Sequence, residues 1–396
     1  MNRPRITGSL ASSLLALGLL GCAPPPPAPD PPAQPFVFRA LNLRRQDQQG
    51  RPLWQLSSPE TRYDLTRKLA QSRDLTGVLY ERGEPLYRFS AANGVVLNDG
   101  ELVQLEGPIQ LERLDEERPL LLTGLRLRWY PAQERMEIDR DPRASSADLE
   151  LTAGLARFLI GKDRLELRRN PMLRQSGEHP LSLRVEELDW TPGSGVLEGR
   201  GPIRGERQLG DGLVQRLTSP GFSGNTGQQT IDLQAPVRLE DPQRQAVIDA
   251  RATRLDLSRR QASSSEPFQG RHGPIRFSGG GFRVDAASET LQVKDGCRLQ
   301  QPGEQLQAGS CRWAWAAGTV EASGSVVLSR QANGLETTAE RLVGRIGSDG
   351  FAEFSSPGGG RVRSELRLPG GGDGPGSGSL RPDRNRPRQR PPAFQL

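Results

Sequence analysis

An apolar residue at every second position, with a polar or charged residue between, recurs along almost the whole chain. Examples are Trp54/Leu56, Val103/Leu105, Leu125/Leu127/Trp129, Leu181/Leu183/Val185, Ile231/Leu233, Leu291/Val293 and Leu366/Leu368. Successive side chains of an extended backbone point to opposite faces, so a period of two gives a strand one apolar and one wet face. Few stretches carry a helical period, and two are ambiguous. Ser58-Pro59-Glu60 has the form of a helix start running to Gln71, and Ala147 to Ile160 is compatible with helix or strand. Hydrophobic residues at 34% and aromatics at 5% cannot fill a thick central core, while Gly 46 and Pro 33 supply many turns. The expected fold is all-β: elongated, thin and turn-rich, built of antiparallel strands.

A loose repeat supports stacked β units. A small residue, then Pro or Ser, then an apolar β-branched residue recur at Gly107-Pro108-Ile109, Gly201-Pro202-Ile203, Ala235-Pro236-Val237, Gly273-Pro274-Ile275 and Gly324-Ser325-Val326. Proline is tolerated at the head of a strand, where its missing N–H is not needed by the ladder.

The N-terminus has a different character. Arg3 and Arg5 precede an apolar stretch, Leu10 to Leu20, that ends in Leu19-Leu20-Gly21-Cys22. This is the pattern of a bacterial lipoprotein signal peptide, cut before Cys22, whose sulfur then carries diacylglycerol. The apolar stretch is shorter than the ~20 residues a spanning helix needs. Ala23 to Pro35 holds eight prolines. It reads as a polyproline II spacer that, at about 3.1 Å per residue, holds the folded part roughly 40 Å from the lipid. The expected location is the periplasm, with a lipid anchor in a membrane, the inner membrane being favoured.

The formal charge of +6 sits largely at the termini: Arg3 and Arg5 at one end, and five arginines against two aspartates from Pro369 onward. The body is close to neutral, which removes the electrostatic basis for nucleic-acid binding. Besides Cys22 there are Cys297 and Cys311, flanking Gln301-Pro302-Gly303-Glu304. That segment reads as a hairpin turn, which brings the cysteines opposite each other. In an oxidising compartment they form a disulfide; the alternative is two buried free thiols.

Signals for catalysis are lacking. His179 and His272 stand far apart in probable loops and read as isolated surface histidines, without metal-ligand spacing. No nucleophile elbow or phosphate-binding loop is visible, and Gly279-Gly280-Gly281 and Gly358-Gly359-Gly360 fall in turn contexts. Glycosidase carboxylate pairs need no local motif, so that class stays open on pattern alone. No cofactor is expected.

The strands from Phe36-Val37-Phe38-Arg39-Ala40-Leu41-Asn42-Leu43, through Trp54-Gln55-Leu56, Tyr63, Val78 and Ala91-Ala92, to Leu105-Glu106-Gly107-Pro108-Ile109-Gln110-Leu111 resemble the LptC-type periplasmic component of the lipopolysaccharide transport bridge. The later strands, to about Leu368, are similar to the repeats of LptA and OstA-type proteins. The resemblance implies five segments: signal peptide 1–21, lipidated cysteine and linker 22–35, LptC-like β-jellyroll 36–140, LptA/OstA-like repeats 141–368, and a disordered basic tail 369–396. It also implies an open β-jellyroll or solenoid whose apolar interior shields acyl chains of lipopolysaccharide or a related glycolipid. Phe36, Phe38, Trp54, Leu56, Leu105, Ile109, Leu111, Leu127 and Trp129 are the residues nominated to touch lipid. Each would equally serve as plain core in a closed, filled sleeve. The two end strands, Phe36 to Leu43 and Val362 to Leu368, would add to the sheets of other bridge proteins, such as transporter membrane subunits or an LptA-like protein. LptC-type members usually carry an N-terminal transmembrane helix and a shorter body, and this chain departs from both. The expected function is therefore non-enzymatic lipid export. The alternatives are a β-solenoid scaffold binding protein or glycan, and a polysaccharide-active β-helix enzyme.

Overall fold

The computed structural model describes residues 36–115, 117, 119–209, 212–331, 334–345, 352–355 and 361–366. The signal segment, Cys22, the linker, the basic tail and the end of the last expected strand lie outside them.

Six long strands open the fold as an antiparallel meander: β1 (Phe36–Gln46), β2 (Pro52–Asp64), β3 (Leu69–Glu81), β4 (Glu84–Leu97), β5 (Leu102–Arg113) and β6 (Leu121–Tyr130). Beyond β6 the ladder divides in two. The end of β6 pairs with β7 (Arg135–Arg140) in what we term sheet I, and its start pairs with β8 (Arg143–Ser146) in sheet II. The chain then shuttles between the sheets. The strands β9 (Leu149–Thr152), β12 (Met172–Gln175) and β13 (Leu181–Arg184) extend sheet II. The strands β10 (Leu155–Leu159), β11 (Arg164–Arg168) and β14 (Glu187–Thr191) extend sheet I.

Long strands β15 (Val196–Gln208) and β16 (Val214–Asn225) run through both sheets and tie them together. The shuttle resumes with β17 (Thr230–Leu233), β18 (Val237–Asp241), β19 (Ala246–Ala250), β20 (Thr253–Asp256), β21 (Gln261–Ser264), β22 (Phe268–His272) and β23 (Ile275–Gly279). It continues through β24 (Gly281–Asp285), β25 (Thr290–Lys294), β26 (Cys297–Gln301), β27 (Glu304–Ala308) and β28 (Ser310–Ala314). A second pair of long strands, β29 (Thr319–Arg330) and β30 (Leu335–Arg345), follows, with β31 (Ala352–Ser355) and β32 (Arg363–Leu366) each pairing, among the described residues, with β30 alone. All pairings are antiparallel, and both stretches that were ambiguous in sequence are strand.

The sequence repeat marks the corners of this path. Register shifts in β5, β15 and β29 fall at Glu106/Ile109, Arg200/Ile203 and Ser323/Val326, where Gly107, Gly201 and Gly324 have φ of +89°, +89° and +81°. A β-bulge there bends the strand from one sheet into the other, and L side chains rarely adopt that φ. Ala235-Pro236 occupies the equivalent crossing between β17 and β18, whereas Gly273-Pro274 forms the β22–β23 hairpin instead. Corners stack and are joined by backbone bonds, such as Gly296 N–H to Gly309 O at 3.0 Å and Gly309 N–H to Gly324 O at 2.7 Å. Ser58-Pro59 is also a corner and not a helix cap. The Ser58 hydroxyl donates to Glu60 O and Arg73 O, each at 2.8 Å, and Ser219 before Pro220 does the same to Gly221 O and Gln234 O.

Hairpin turns on the open side share another device. Asp64, Asn225, Asp241, Asp256 and Asp285 each accept the N–H three residues on, and the residue after that, from Lys68 to Glu289, has positive φ. The hairpin at 301–304 forms with Gln301 opposite Glu304, but it pairs Cys297 with Ala308. Cys311 lies past the next crossing, so its disulfide with Cys297 (Cα–Cα 5.8 Å) joins sheet II to sheet I and does not span the hairpin.

Candidate functional site: the space between the sheets

Directly opposed residues of an antiparallel pair share a face, so register extends a row of side chains from strand to strand. In sheet II one such row begins Leu43–Leu56–Gly77–Phe89–Leu111–Leu122 and ends Phe277–Leu299–Leu306–Leu328. Every member between is also apolar or glycine. Sheet I has a matching row, from Phe36–Tyr63–Ala70–Val96–Val103–Trp129 to Val284–Leu291–Trp313–Val320. The two rows face each other along the described strands.

What fills the space changes along its length. In the N-terminal part it is packed. Leu56, Leu105, Ile109, Leu111, Leu127 and Trp129 are no more than 2% exposed. Trp129 meets Trp54 and Phe89 edge-to-face at 5.6 and 5.9 Å, and Tyr87 meets Phe158 at 5.5 Å, joining the sheets. A polar clasp closes the same level: buried Arg113 of β5 lies 3.3 Å from Asp163 at the end of sheet I, which also accepts the Tyr87 hydroxyl and the Gly193 N–H. Burial and the Asp163 charge push the Tyr87 hydroxyl well above its ordinary pKa, so it stays protonated.

Farther along, between strands β16 and β28, an apolar cavity of about 220 Å³ opens between the sheets. Leu239 and Ile248 line it from sheet II, with Leu255, Val284 and Leu291 from sheet I and Trp315 beside them. The hydrophobic core is divided there, one cluster ending at Val237 and the next beginning at Ala250. Small residues make the room: Ala246, Ala262 and Ala286 line the cavity, and the sequence from Phe222 to Phe268 contains no aromatic residue between them. Large side chains at those positions would meet across the gap, as they do around Trp129.

The nominated lipid-contact residues are therefore distributed differently from expectation. Six are tightly packed, Trp54 is half-buried, and none of the nine lines the cavity. Phe36 and Phe38 are 54% and 44% exposed. They are in register with Tyr63 and Thr61 and continue the inner rows, but among the described residues β1 pairs only with β2, and none of them covers these two side chains. Leu125 is also displaced. It is 47% exposed because the register of β6 slips at Arg126/Leu127, putting it out of phase with Leu127 and Trp129.

Of the two histidines, only His179 lies in a loop, between β12 and β13. His272 belongs to β22, lines the cavity and packs edge-on against Trp313 at 5.1 Å; burial lowers its pKa. His179 is only 14% exposed at its side chain. Among the described residues no group of three or more His, Cys, Asp or Glu is placed to hold a metal, and no helix is long and apolar enough to cross a membrane.

The outer face of sheet I carries cross-strand ion pairs. Asp139 accepts from Arg126 at 2.7 Å and from Arg128, and these hydrogen bonds hold its carboxyl down at about 2. Buried Asp189 is surrounded by Arg164, Arg168 and Arg200 at 2.5–2.7 Å; burial pushes its pKa up, and the arginines outweigh it. Acids and bases alternate there, so this face is a self-neutralising ribbon and not a ligand site.

Residues 10–169 match the family model described as "LptC: Lipopolysaccharide-assembly, LptC-related". This segment is LptC-like. The LptC-like match ends just past β11, so the cavity, whose first lining residue is Leu181, lies wholly beyond it. The match is to an assembly family and not to an enzyme family. No curated protein matches the chain. Among solved structures, LptH, the LptA-homologous periplasmic component of the lipopolysaccharide transport device of Pseudomonas aeruginosa, aligns at 13% identity. That alignment covers 29% of this chain and 82% of that one, with a TM-score of 0.26, too loose to carry an argument.

Proposed function

We propose that the protein is a non-enzymatic component of a lipopolysaccharide-transport bridge, and that its inter-sheet space shields acyl chains as they cross the aqueous periplasm. The observation that carries this reading is the pair of facing apolar rows, unbroken from β1 to β29, which widen into a cavity between β16 and β28. An ordinary core has no need of one continuous row per sheet; a path for a long apolar chain does. Cavities of about 150 Å³ lined by aliphatic and aromatic side chains stay dry and accept apolar ligands. In this reading Cys22 anchors the protein through lipid, the proline-rich segment sets its distance from the membrane, and β1 and β32 are open edges for neighbouring bridge proteins. The filled interior around Trp129 favours a second reading, a lipid-free scaffold.

Photo-crosslinking in cells separates the two. A photoreactive residue at Ile248 is expected to give a glycolipid adduct, while one at Arg298 on the outer face gives none. Equal labelling at both, or none at Ile248, would leave the scaffold.

A further inference from the structure

Strand β15 breaks the apolar pattern at one inward position. Past its corner, Ile203 and Gly205 face inward, and Arg207 follows in the same phase, opposite Leu181 on one side and Gln215 on the other. Arg207 lines the cavity at the margin of sheet II. Arg260, in the turn between β20 and β21, lines it at the margin of sheet I and bears on Arg207 through its charge. Burial and that like charge both lower the Arg207 pKa.

Neither guanidinium has a hydrogen bond or an ion pair among the described residues. The carboxylates at the same mouth are already engaged. Asp241 holds Arg244 at 3.1 Å and Gln215 at 3.4 Å; Asp256 accepts from the Ser258 hydroxyl at 2.7 Å and the Arg259 N–H at 2.9 Å; Glu240 pairs with Arg238 at 2.5 Å. Elsewhere this protein pairs its inward arginines, as Arg113 with Asp163. Two like charges half out of water, with no counter-charge among the described residues, oppose folding unless an anion joins them. Guanidinium groups bind phosphate oxygens in a planar fork, and the adjoining wall is aliphatic.

We propose that Arg207 and Arg260 form a two-arginine latch for the phosphate of a phosphorylated diacyl amphiphile whose acyl chains enter the cavity. The latch rests on the lipid-shielding reading above and adds a headgroup requirement to it. It makes the cavity a station where an anionic lipid is held by both ends, its acyl part against Ile248 and Leu255 and its phosphate between the sheets.

The test uses the full chain and three probes: dihexanoyl phosphatidic acid, dihexanoylglycerol and inorganic phosphate. Wild type is expected to bind the phosphatidic acid about tenfold or more tightly than the diacylglycerol, as two charge-assisted contacts would give. The preference weakens with added salt. Inorganic phosphate alone does not compete at matched concentration. The variant R207Q/R260Q is expected to bind both lipids alike at the diacylglycerol level, and R207K/R260K to recover part of the preference. Equal binding of the two lipids by wild type, or a preference that survives in R207Q/R260Q, overturns the latch while leaving the cavity reading intact. Competition by phosphate alone makes the site an inorganic-anion site and overturns it too. Failure of wild type to bind either lipid overturns both.

Discussion

A carboxylate placed on the inner rows should have opposite consequences in the packed and open sections. Leu105 is 1% exposed and opposed by Leu127, which is equally buried. Leu105→Asp loses about 2–3 kcal/mol of side-chain burial. It must also desolvate a carboxylate or hold it protonated, at several kcal/mol more. The total, about 5 kcal/mol or above, is comparable with the whole stability of an ordinary domain. Ile248 is only half-buried and points into a cavity of about 220 Å³, where water can reach a carboxylate. Ile248→Asp should cost about 1–2 kcal/mol, part of one side chain's burial, and leave the fold standing while filling the lipid path with water.

Circular dichroism followed through a urea titration reads the first effect, and retention of dihexanoylglycerol by the purified chain reads the second. Leu105→Asp is expected to unfold at much lower urea than wild type. Ile248→Asp is expected to unfold near wild type and to bind no lipid. Gln307→Asp, on the outer face opposite Arg298, should change neither measurement. Lipid binding by Ile248→Asp at the wild-type level refutes the cavity as the acyl site. Equal stability of Leu105→Asp and Ile248→Asp refutes the division into packed and open sections.

Other consequences are more local. Gly201→Ala forces a Cβ to within 2.7 Å of the Glu186 Cβ at a φ of +89°, so it should cost about 1–3 kcal/mol, read as a lowered melting temperature. Removing both Cys297 and Cys311 by alanine substitution opens a bridge across 14 residues and should cost about 3 kcal/mol in the chain-entropy model, measured against wild type under oxidising conditions. Asp139, held at about 2 by Arg126 and Arg128, is stabilising above its unfolded pKa near 4. About 2 kcal/mol should therefore be lost as pH falls from about 4 to about 2, and Asp139→Asn should remove that part of the acid dependence. Cys22→Ala is expected to release the protein from the membrane fraction, and its continued sedimentation with membranes would argue against the lipid anchor.

The all-β class was legible because alternation is local: each strand declares its two faces in its own few residues. Corners were legible only as an unexplained repeat. Gly107-Pro108-Ile109 and Gly201-Pro202-Ile203 stand out in sequence, but that they turn a strand from one sheet into the next depends on the partner strand's register. Local signals misled where the same chemistry serves two purposes. Ser58-Pro59-Glu60 has the composition of a helix start, yet its serine caps carbonyls of two strands at a corner. Cys297 and Cys311 flank a real hairpin, but the crossing after Ala308 puts the second cysteine on the other sheet. The cavity was the least legible feature. Its lining residues show the same alternation as the packed section, and only the run of small inward residues, Ala246, Ala262 and Ala286, hints at missing volume.

That run gives the clearest account of why one architecture has two interiors. Along the LptC-like segment, paired rows of large side chains meet in the middle, and the Arg113–Asp163 clasp ties the open margins together. From β17 to β21 the same rows continue without an aromatic side chain, and the margin carries Arg207 and Arg260, like charges where Arg113 and Asp163 are opposite ones. Both changes act in one direction, holding the sheets apart. The backbone pairing is indifferent to them, because the strands of this section pair with neighbours within their own sheet. Inter-sheet spacing is thus set by side chains alone, and a fold of this kind can be closed in one section and open in the next without altering its hydrogen-bond ladder.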